Sequence, residues 1–410
     1  MIGKNRVVIT GLGVLAANGI GKEAFWNSLL AGESGIGPIT LFDASDIPWK
    51  LAGEVKGFTP TDYLDKKLRP KRENRGTQLL ATAAQMAIKD AKLNRKELAS
   101  AAPILVTIGT TLGGLDLVEI HNRRLESKGI DKGLTTVSYC LHIKGPSVIS
   151  KMLDVPTRIG ALSNSCTGGL DAIASAFSAV QRGETEIAVA GGTDAVVIPS
   201  VVTGLGYAGL LSKTSDDPRK VSRPFDLLRT GGFLGEGAGV VVIESMDGAL
   251  ARGATPYAEI VGYSTTCDYI HMKDYGFKNS MEGALLNAGF MPKDISYINA
   301  HGSSDIALDQ METEAIKATF GPQAYNIPVA SIKGVTGNPL AAGGAIQTIS
   351  TCLSYANGTI PPTANLEVPD PACDLDYVPL YARQHDLGIS IVNSRGIGGV
   401  NSSLLLRNLD

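Results

Sequence analysis

Three turns and a glycine-rich loop carry the side chains in this sequence that could do covalent or proton chemistry. Ser163-Asn164-Ser165-Cys166-Thr167-Gly168-Gly169-Leu170 holds a cysteine among small residues, and Leu170, Ile173, Ala174 and Phe177 then recur at helical spacing. The spacing predicts a tight turn feeding a helix N-terminus, where backbone N–H groups and the helix dipole lower a thiol's pKa and small neighbours admit a substrate. The other reading is an inert buried cysteine acting as a small hydrophobe. Asn299-Ala300-His301-Gly302-Ser303-Ser304-Asp305 places one of only five histidines at a strand's C-terminal end, where α/β sheets build their sites. A hydrogen-bonded structural histidine is the alternative there. Ser331-Ile332-Lys333-Gly334-Val335-Thr336-Gly337-Asn338 also follows a strand directly. The turn Asn393-Ser394-Arg395-Gly396-Ile397-Gly398-Gly399-Val400-Asn401 can bring unobstructed N–H groups close to a developing oxyanion.

Strands and helices must alternate to position these turns. Apolar runs at 7–10, 103–109, 186–192 and 239–244 read as strands, and the pattern restarts at Pro256 with strands near 256–262, 295–299, 327–330, 389–392 and 404–406. Helical patterns fall at 23–30, 79–88, 170–177, 311–320 and 340–353. Strands spaced by helices imply parallel βαβ units, and the repeated grammar predicts two related α/β halves, 1–250 and 251–410. Gly11-Leu12-Gly13 lacks the third glycine of a dinucleotide-binding turn, so that reading fails.

The composition, with 44% hydrophobic and 19% charged residues, is that of an ordinary globular protein. The net charge of −3 argues against a nucleic-acid-binding protein. No uninterrupted apolar stretch reaches the roughly 18 residues of a membrane span, and no signal sequence precedes the first strand, so a cytoplasmic location is expected. Five scattered cysteines without a close Cys-x-x-Cys pair speak against both a disulfide framework and a metal site. One run departs from the acidic balance. Lys66, Lys67, Arg69, Lys71 and Arg72 read either as a solvated helix entrance or as a dock for an acidic partner.

Taken together, these motifs resemble the elongating branch of the β-ketoacyl-acyl-carrier-protein synthases, in the thiolase superfamily. The resemblance runs from Val8-Ile9-Thr10-Gly11-Leu12-Gly13 through Ser222-Arg223-Pro224-Phe225-Asp226 and Gly235-Glu236-Gly237-Ala238-Gly239 to Gly398-Gly399-Val400-Asn401. It implies an α/β thiolase fold of five αβαβα layers built from two related halves, in a homodimer or paired with a related subunit. It further implies that Cys166 takes an acyl chain as a thioester from the phosphopantetheine arm of an acyl carrier protein, with no cofactor bound by the enzyme itself. A malonyl carrier would then decarboxylate and attack that acyl group. By the same resemblance His301 and Asn338 serve the enolate, Lys333 sits behind them, and Glu312 is its ion-pair partner, with Asp309 in support. The N–H groups of Cys166 and Ile397 form the oxyanion hole, within a gate of Gly396, Ile397 and Gly398. Ser303, Asp305 and Arg395 line the pantetheine channel, and the basic run docks the carrier.

The sequence also departs from the family pattern. Asn338 stands where the elongating branch has a second histidine, Asp305 where a hydroxyl is expected, Arg395 and Ile397 where phenylalanines are, and Thr230 and Gly232 where aspartate and phenylalanine are. An amide donates a hydrogen bond to an enolate but carries no proton near neutral pH. Gly232 is expected to loosen the pocket, and Arg395 and Asp305 are expected to pair across its mouth. Two rivals stay open: an acyltransferase of this fold that does not decarboxylate, and a non-catalytic partner of the chain-length-factor kind. A thiolase is the weakest reading, because the second cysteine that such enzymes carry near the C-terminus is absent from Gly396 to Asn401.

Overall fold

The computed structural model describes residues 5–128, 136–214, 216–268 and 276–409. Ten strands matter to the site: β1 (Val7–Ala16), β2 (Ile104–Gly109), β3 (Thr157–Leu162), β4 (Ile187–Asp194), β5 (Gly237–Ser245), β6 (Ala258–Cys267), β7 (Ile295–Asn299), β8 (Val329–Ala330), β9 (Ile389–Gly396) and β10 (Val400–Arg407). Six helices flank them: α1 (Arg75–Asp90), α2 (Lys144–Leu153), α3 (Gly168–Gln181), α4 (Gly276–Ala288), α5 (Ile306–Phe320) and α6 (Ala342–Asn357).

The strands join in the order β8-β7-β9-β10-β6-β1-β5-β4-β2-β3, with Gly19–Ile20 pairing onto β1 to make an eleven-stranded sheet. Each half contributes five strands with one pairing pattern. From the outer edge inward, two parallel pairings are followed by two antiparallel ones, β3-β2-β4-β5-β1 in the first half and β8-β7-β9-β10-β6 in the second. The pairing of β1 with β6, Val7 opposite Ile260, welds the halves. An all-parallel arrangement is therefore not found. In the second half, β9 returns as β10 through the tight Gly396–Gly399 turn, and a turn that short can join only antiparallel neighbours.

The layers follow from what each helix buries. α3 and α6 pack on each other and on strands of the sheet, α3 on β2 and β4 and α6 on β5 and β9. Both are buried nearly all round, as expected of helices in a central layer. α1 and α2 cover the outer face of the first half, and α4, with α5 against it, covers the second, giving the five layers of a thiolase fold. The close fit of α3 requires glycine at its start: a Cβ on Gly169 would lie 2.2 Å from the Ala341 carbonyl oxygen. The same contact carries a hydrogen bond from the Gly169 N–H to that oxygen.

Candidate active site

Cys166 lies in the short 3₁₀ turn Ser165–Thr167 directly ahead of α3, and it is 4% exposed. Cys166 lines a cavity of about 280 Å³. Leu205, Leu210, Leu211, Phe233, Leu234 and Leu340 supply the apolar wall, while His301, Ser303, Asp305, Asn338, Arg395 and the Gly396–Gly399 turn supply the rest. All three chemical turns and the glycine-rich loop therefore converge on one space, although 233 positions separate Cys166 from Gly399 along the chain.

The Ile397 N–H is directed at the Cys166 sulfur, and the Ser165 hydroxyl lies 3.9 Å from it. Burial nevertheless pushes the Cys166 thiol up, against the pull of Ser165, the Ile397 N–H and the Lys333 cation. The depressed thiol expected from a helix N-terminus is thus not met in the resting site, because a dry environment penalises the thiolate more than these neighbours favour it.

His301 hangs from the end of β7, and its ring is fixed from behind. Its Nδ1 accepts the Arg395 N–H at 3.2 Å, which places the ring proton on Nε2. Burial and the cations of Lys333 and Arg395 hold its pKa well below the usual histidine range, so the imidazole is neutral. Asp309 and Glu312, one turn apart on α5, secure the turn. Glu312 accepts the N–H groups of His301 (2.9 Å) and Gly302 (2.8 Å), and Asp309 accepts those of Ser303 (2.9 Å) and Phe225 (2.8 Å). Burial raises both carboxyls, Asp309 to about 7.

The structure corrects the expected Lys333–Glu312 ion pair. The Lys333 ammonium donates to the His301 carbonyl oxygen and to Gln347 Oε1 (3.3 Å), while Glu312 is occupied by backbone N–H groups and by Asn393 Nδ2 at 3.3 Å. Glu312 acts on the ammonium only through its charge, opposing the burial that lowers Lys333 to about 8. A backbone turn offers a buried carboxylate two fixed donors, which compensate its burial without ordering a long, flexible cation.

The expected Arg395–Asp305 pair is also overturned. Arg395 pairs with Asp268 at 2.6 Å and donates to Asn401 Oδ1 at 2.7 Å, with its guanidinium over the Phe277 ring. Asp305 instead caps α5, accepting the N–H groups of Ala307 (3.0 Å) and Leu308 (2.9 Å). The helix needs those donors satisfied, and aspartate at this position does so locally. Nor is the pocket loose at Gly232: a Cβ there would meet the carbonyl oxygens of Leu210 at 3.1 Å and Ser303 at 3.2 Å, so backbone occupies the room a larger side chain would need. Thr230 is held by the Ser212 hydroxyl at 2.7 Å.

Two residues of the cavity wall carry a buried oxygen without a partner. The Ser303 hydroxyl is buried without a partner, and so is the Asn338 amide oxygen, although the Asn338 backbone is fixed to Phe233 and Gly235. Among the described residues no cluster of histidine, cysteine, aspartate or glutamate could hold a metal ion, and no helix is long and apolar enough to cross a membrane. The basic residues Lys66, Lys67, Arg69, Lys71 and Arg72 lie on two exposed 3₁₀ turns, and none belongs to an ion pair among the described residues. Asp268, Phe277 and Gln347 were not singled out from the sequence, and Asn393 was quoted only as the first residue of its turn. The long Gln347 side chain among the small residues and short hydroxyls of α6 is the one signal that could have pointed to it.

Residues 4–249 match the β-ketoacyl synthase N-terminal domain and residues 257–367 its C-terminal domain. A 3-oxoacyl-[acyl-carrier-protein] synthase 2 of Synechocystis sp. is 42% identical, over 98% of each chain. The solved ishigamide ketosynthase/chain length factor superposes with a TM-score of 0.92 at 31% identity, over 99% of this chain and 100% of that one. A type II polyketide-synthase ketosynthase, solved with its acyl-carrier protein, gives 0.91 at 29% identity over the same shares. With its two-half thiolase architecture and this cavity, the chain belongs to the β-ketoacyl synthase family. It is an acyltransferase, a condensing enzyme of fatty-acid or polyketide elongation.

Proposed function

We propose that the chain is a cytoplasmic, dimeric ketosynthase, divided near residue 250, that uses a Cys166-His301-Asn338 site to condense carrier-bound acyl and malonyl units. The observation that carries this reading is the convergence, in one apolar cavity, of Cys166 under the Ile397 N–H with a neutral His301 and the Asn338 side chain.

Phosphopantetheine delivered on an acyl carrier protein enters past Ser303 and Asp305, where the free Ser303 hydroxyl meets its amides. Cys166 sulfur attacks the acyl thioester, and the oxyanion is held by the N–H groups of Cys166 and Ile397 within the Gly396–Gly398 gate. The carrier thiol leaves, taking a proton. A malonyl carrier follows, and breaking its bond to carbon dioxide sends the electron pair into the thioester enolate. His301 Nε2–H and the Asn338 amide N–H donate to the enolate oxygen. The enolate carbon then attacks acyl-Cys166, forming the carbon–carbon bond and expelling the sulfur. Lys333, lodged on the His301 carbonyl, and the carboxylates of Asp309 and Glu312 keep the imidazole in place. No step requires a second imidazole as a base.

The acidic carrier docks on Lys66, Lys67, Arg69, Lys71 and Arg72, whose exposed, unpaired cations favour a negative partner. The dimer forms along β3, which ends the sheet with one edge unpaired among the described residues and leaves Ile159 41% exposed. Incubation with acyl carrier and malonyl carrier tests the reading. Carbon dioxide release, a ketoacyl carrier and an acyl adduct on Cys166 by mass spectrometry are expected, and Cys166→Ala abolishes the adduct. An acyl adduct with neither carbon dioxide nor ketoacyl product would overturn condensation and leave a plain acyltransferase.

A further inference from the structure

We infer that Asp171 is a positioning residue for the nucleophile, holding a strained cysteine turn of the first half against strands of the second. The inference rests on the reading of Cys166 as the acyl acceptor and adds a residue that this reading does not use.

Asp171 lies in the first turn of α3 and is 4% exposed. Four side chains donate to its carboxylate. Asn164 Nδ2 (2.8 Å) and Thr167 Oγ1 (2.9 Å) reach Oδ2 from the nucleophile turn. Tyr263 OH (2.6 Å) and Ser402 Oγ (2.6 Å) reach Oδ1 from β6 and β10. Four donors compensate a buried carboxylate, and its place at the helix N-terminus adds to that. The two oxygens divide their partners by origin, one facing the cysteine turn and the other facing the second half. The carboxylate is therefore a rivet between them.

The turn needs one. Ser165, immediately before Cys166, adopts φ 54°, a left-handed conformation that strains a residue with a Cβ. Asn164 and Thr167 bracket Ser165 and Cys166, and the single Thr167 hydroxyl proton is shared between Asp171 Oδ2 and the Asn164 carbonyl oxygen at 2.8 Å. From the opposite side, β9 presses on the same turn. Ser394 Oγ donates to the Cys166 carbonyl oxygen at 3.2 Å, and a Cβ on Gly396 would lie 2.9 Å from Ser165 Cβ. Because Ile397 belongs to the second half and Cys166 to the first, the spacing of the two oxyanion N–H groups depends on how firmly the halves are joined at this point. Asp171 joins them through charge-assisted bonds one helical turn behind the sulfur.

Single-turnover acylation of Cys166 by an acyl carrier, followed by mass spectrometry, tests this. Acylation needs both oxyanion donors in register, whereas alkylation by iodoacetamide needs only the sulfur. Asp171→Ala should slow acylation at least tenfold while alkylation changes less than threefold. Asp171→Asn should recover acylation to within about threefold of wild type, because its oxygen still accepts from Asn164 and Thr167 while the two hydroxyls turn to accept from its amide. Should Asp171→Ala not fold, Thr167→Val keeps the side-chain shape, removes one arm of the rivet and should slow acylation at least threefold at an unchanged melting temperature. Wild-type acylation in folded Asp171→Ala, or in Thr167→Val, would overturn the inference, as would equal losses of acylation and alkylation. The readout stops at the acyl-enzyme, so an enzyme that acylates and never condenses would sink the proposed condensation without touching Asp171.

Discussion

At the scale of single residues, the proposed condensation turns on Asn338 and Cys166. The Asn338 side chain is held by its backbone alone, so it can be altered without disturbing the neighbouring groups. Asn338→Ala should slow carbon dioxide release from malonyl carrier at least tenfold and leave Cys166 acylation within threefold, as measured in separate half-reactions. That split follows because only decarboxylation builds charge on the enolate oxygen. Cys166 behaves oppositely to a thiol poised for spontaneous ionisation. An acid whose pKa is raised by burial ionises only above its ordinary range, so iodoacetamide alkylation should still be climbing above pH 9. A plateau reached below pH 8 would contradict this. His301 carries the reverse sign. A base whose pKa is lowered stays neutral as pH falls through its ordinary value, so decarboxylation should show no loss centred near pH 6.5.

At the scale of elements, helix starts and strand ends do the positioning. Asp305 illustrates how one side chain serves the fold while lining the cavity. Asp305→Ala should lower stability by about 1 kcal/mol through loss of the α5 cap, with Asp305→Asn close to wild type, as read by chemical denaturation. Much of this level was legible in advance. The helices at 79–88 and 340–353 and the strands around the site turns follow from apolar periodicity, and their ends move by only a few residues in the structure, the second helix to Ala342–Asn357 and the strand at 327–330 to Val329–Ala330. The Asp305 cap was missed, because the helical pattern was read only from residue 311 whereas the helix begins at Ile306. The partner of Arg395 was missed as well, because the sequence shows which charges exist and hides that Asp305 is spent on its own helix and that Asp268 comes closer.

For the whole molecule, the repeated pairing pattern brings two sets of turns to one cavity, and the basic run lies on the exterior as an unpaired surface. Reversing Lys71 and Arg72 to glutamate should weaken acyl-carrier binding about tenfold at low salt, with the difference shrinking as ionic strength rises toward a Debye length near 3 Å at 1 M. Unchanged affinity at low salt, measured by titration calorimetry, would remove this patch from the docking surface.

The sequence by itself determined the alternation of elements, the reactive residue types and the order of motifs that ties the chain to its family. Those are properties of local periodicity and of residue identity, and both can be read along one dimension. Tertiary structure alone decided the pairings among charges: Glu312 on the His301 turn, Arg395 on Asp268, and Asp171 between the halves. It also decided the state of the thiol. Burial sets both outcomes, because the cost of a charge depends on how much water the whole fold leaves around it, and a buried carboxylate takes the nearest fixed donors however far away they lie in the chain.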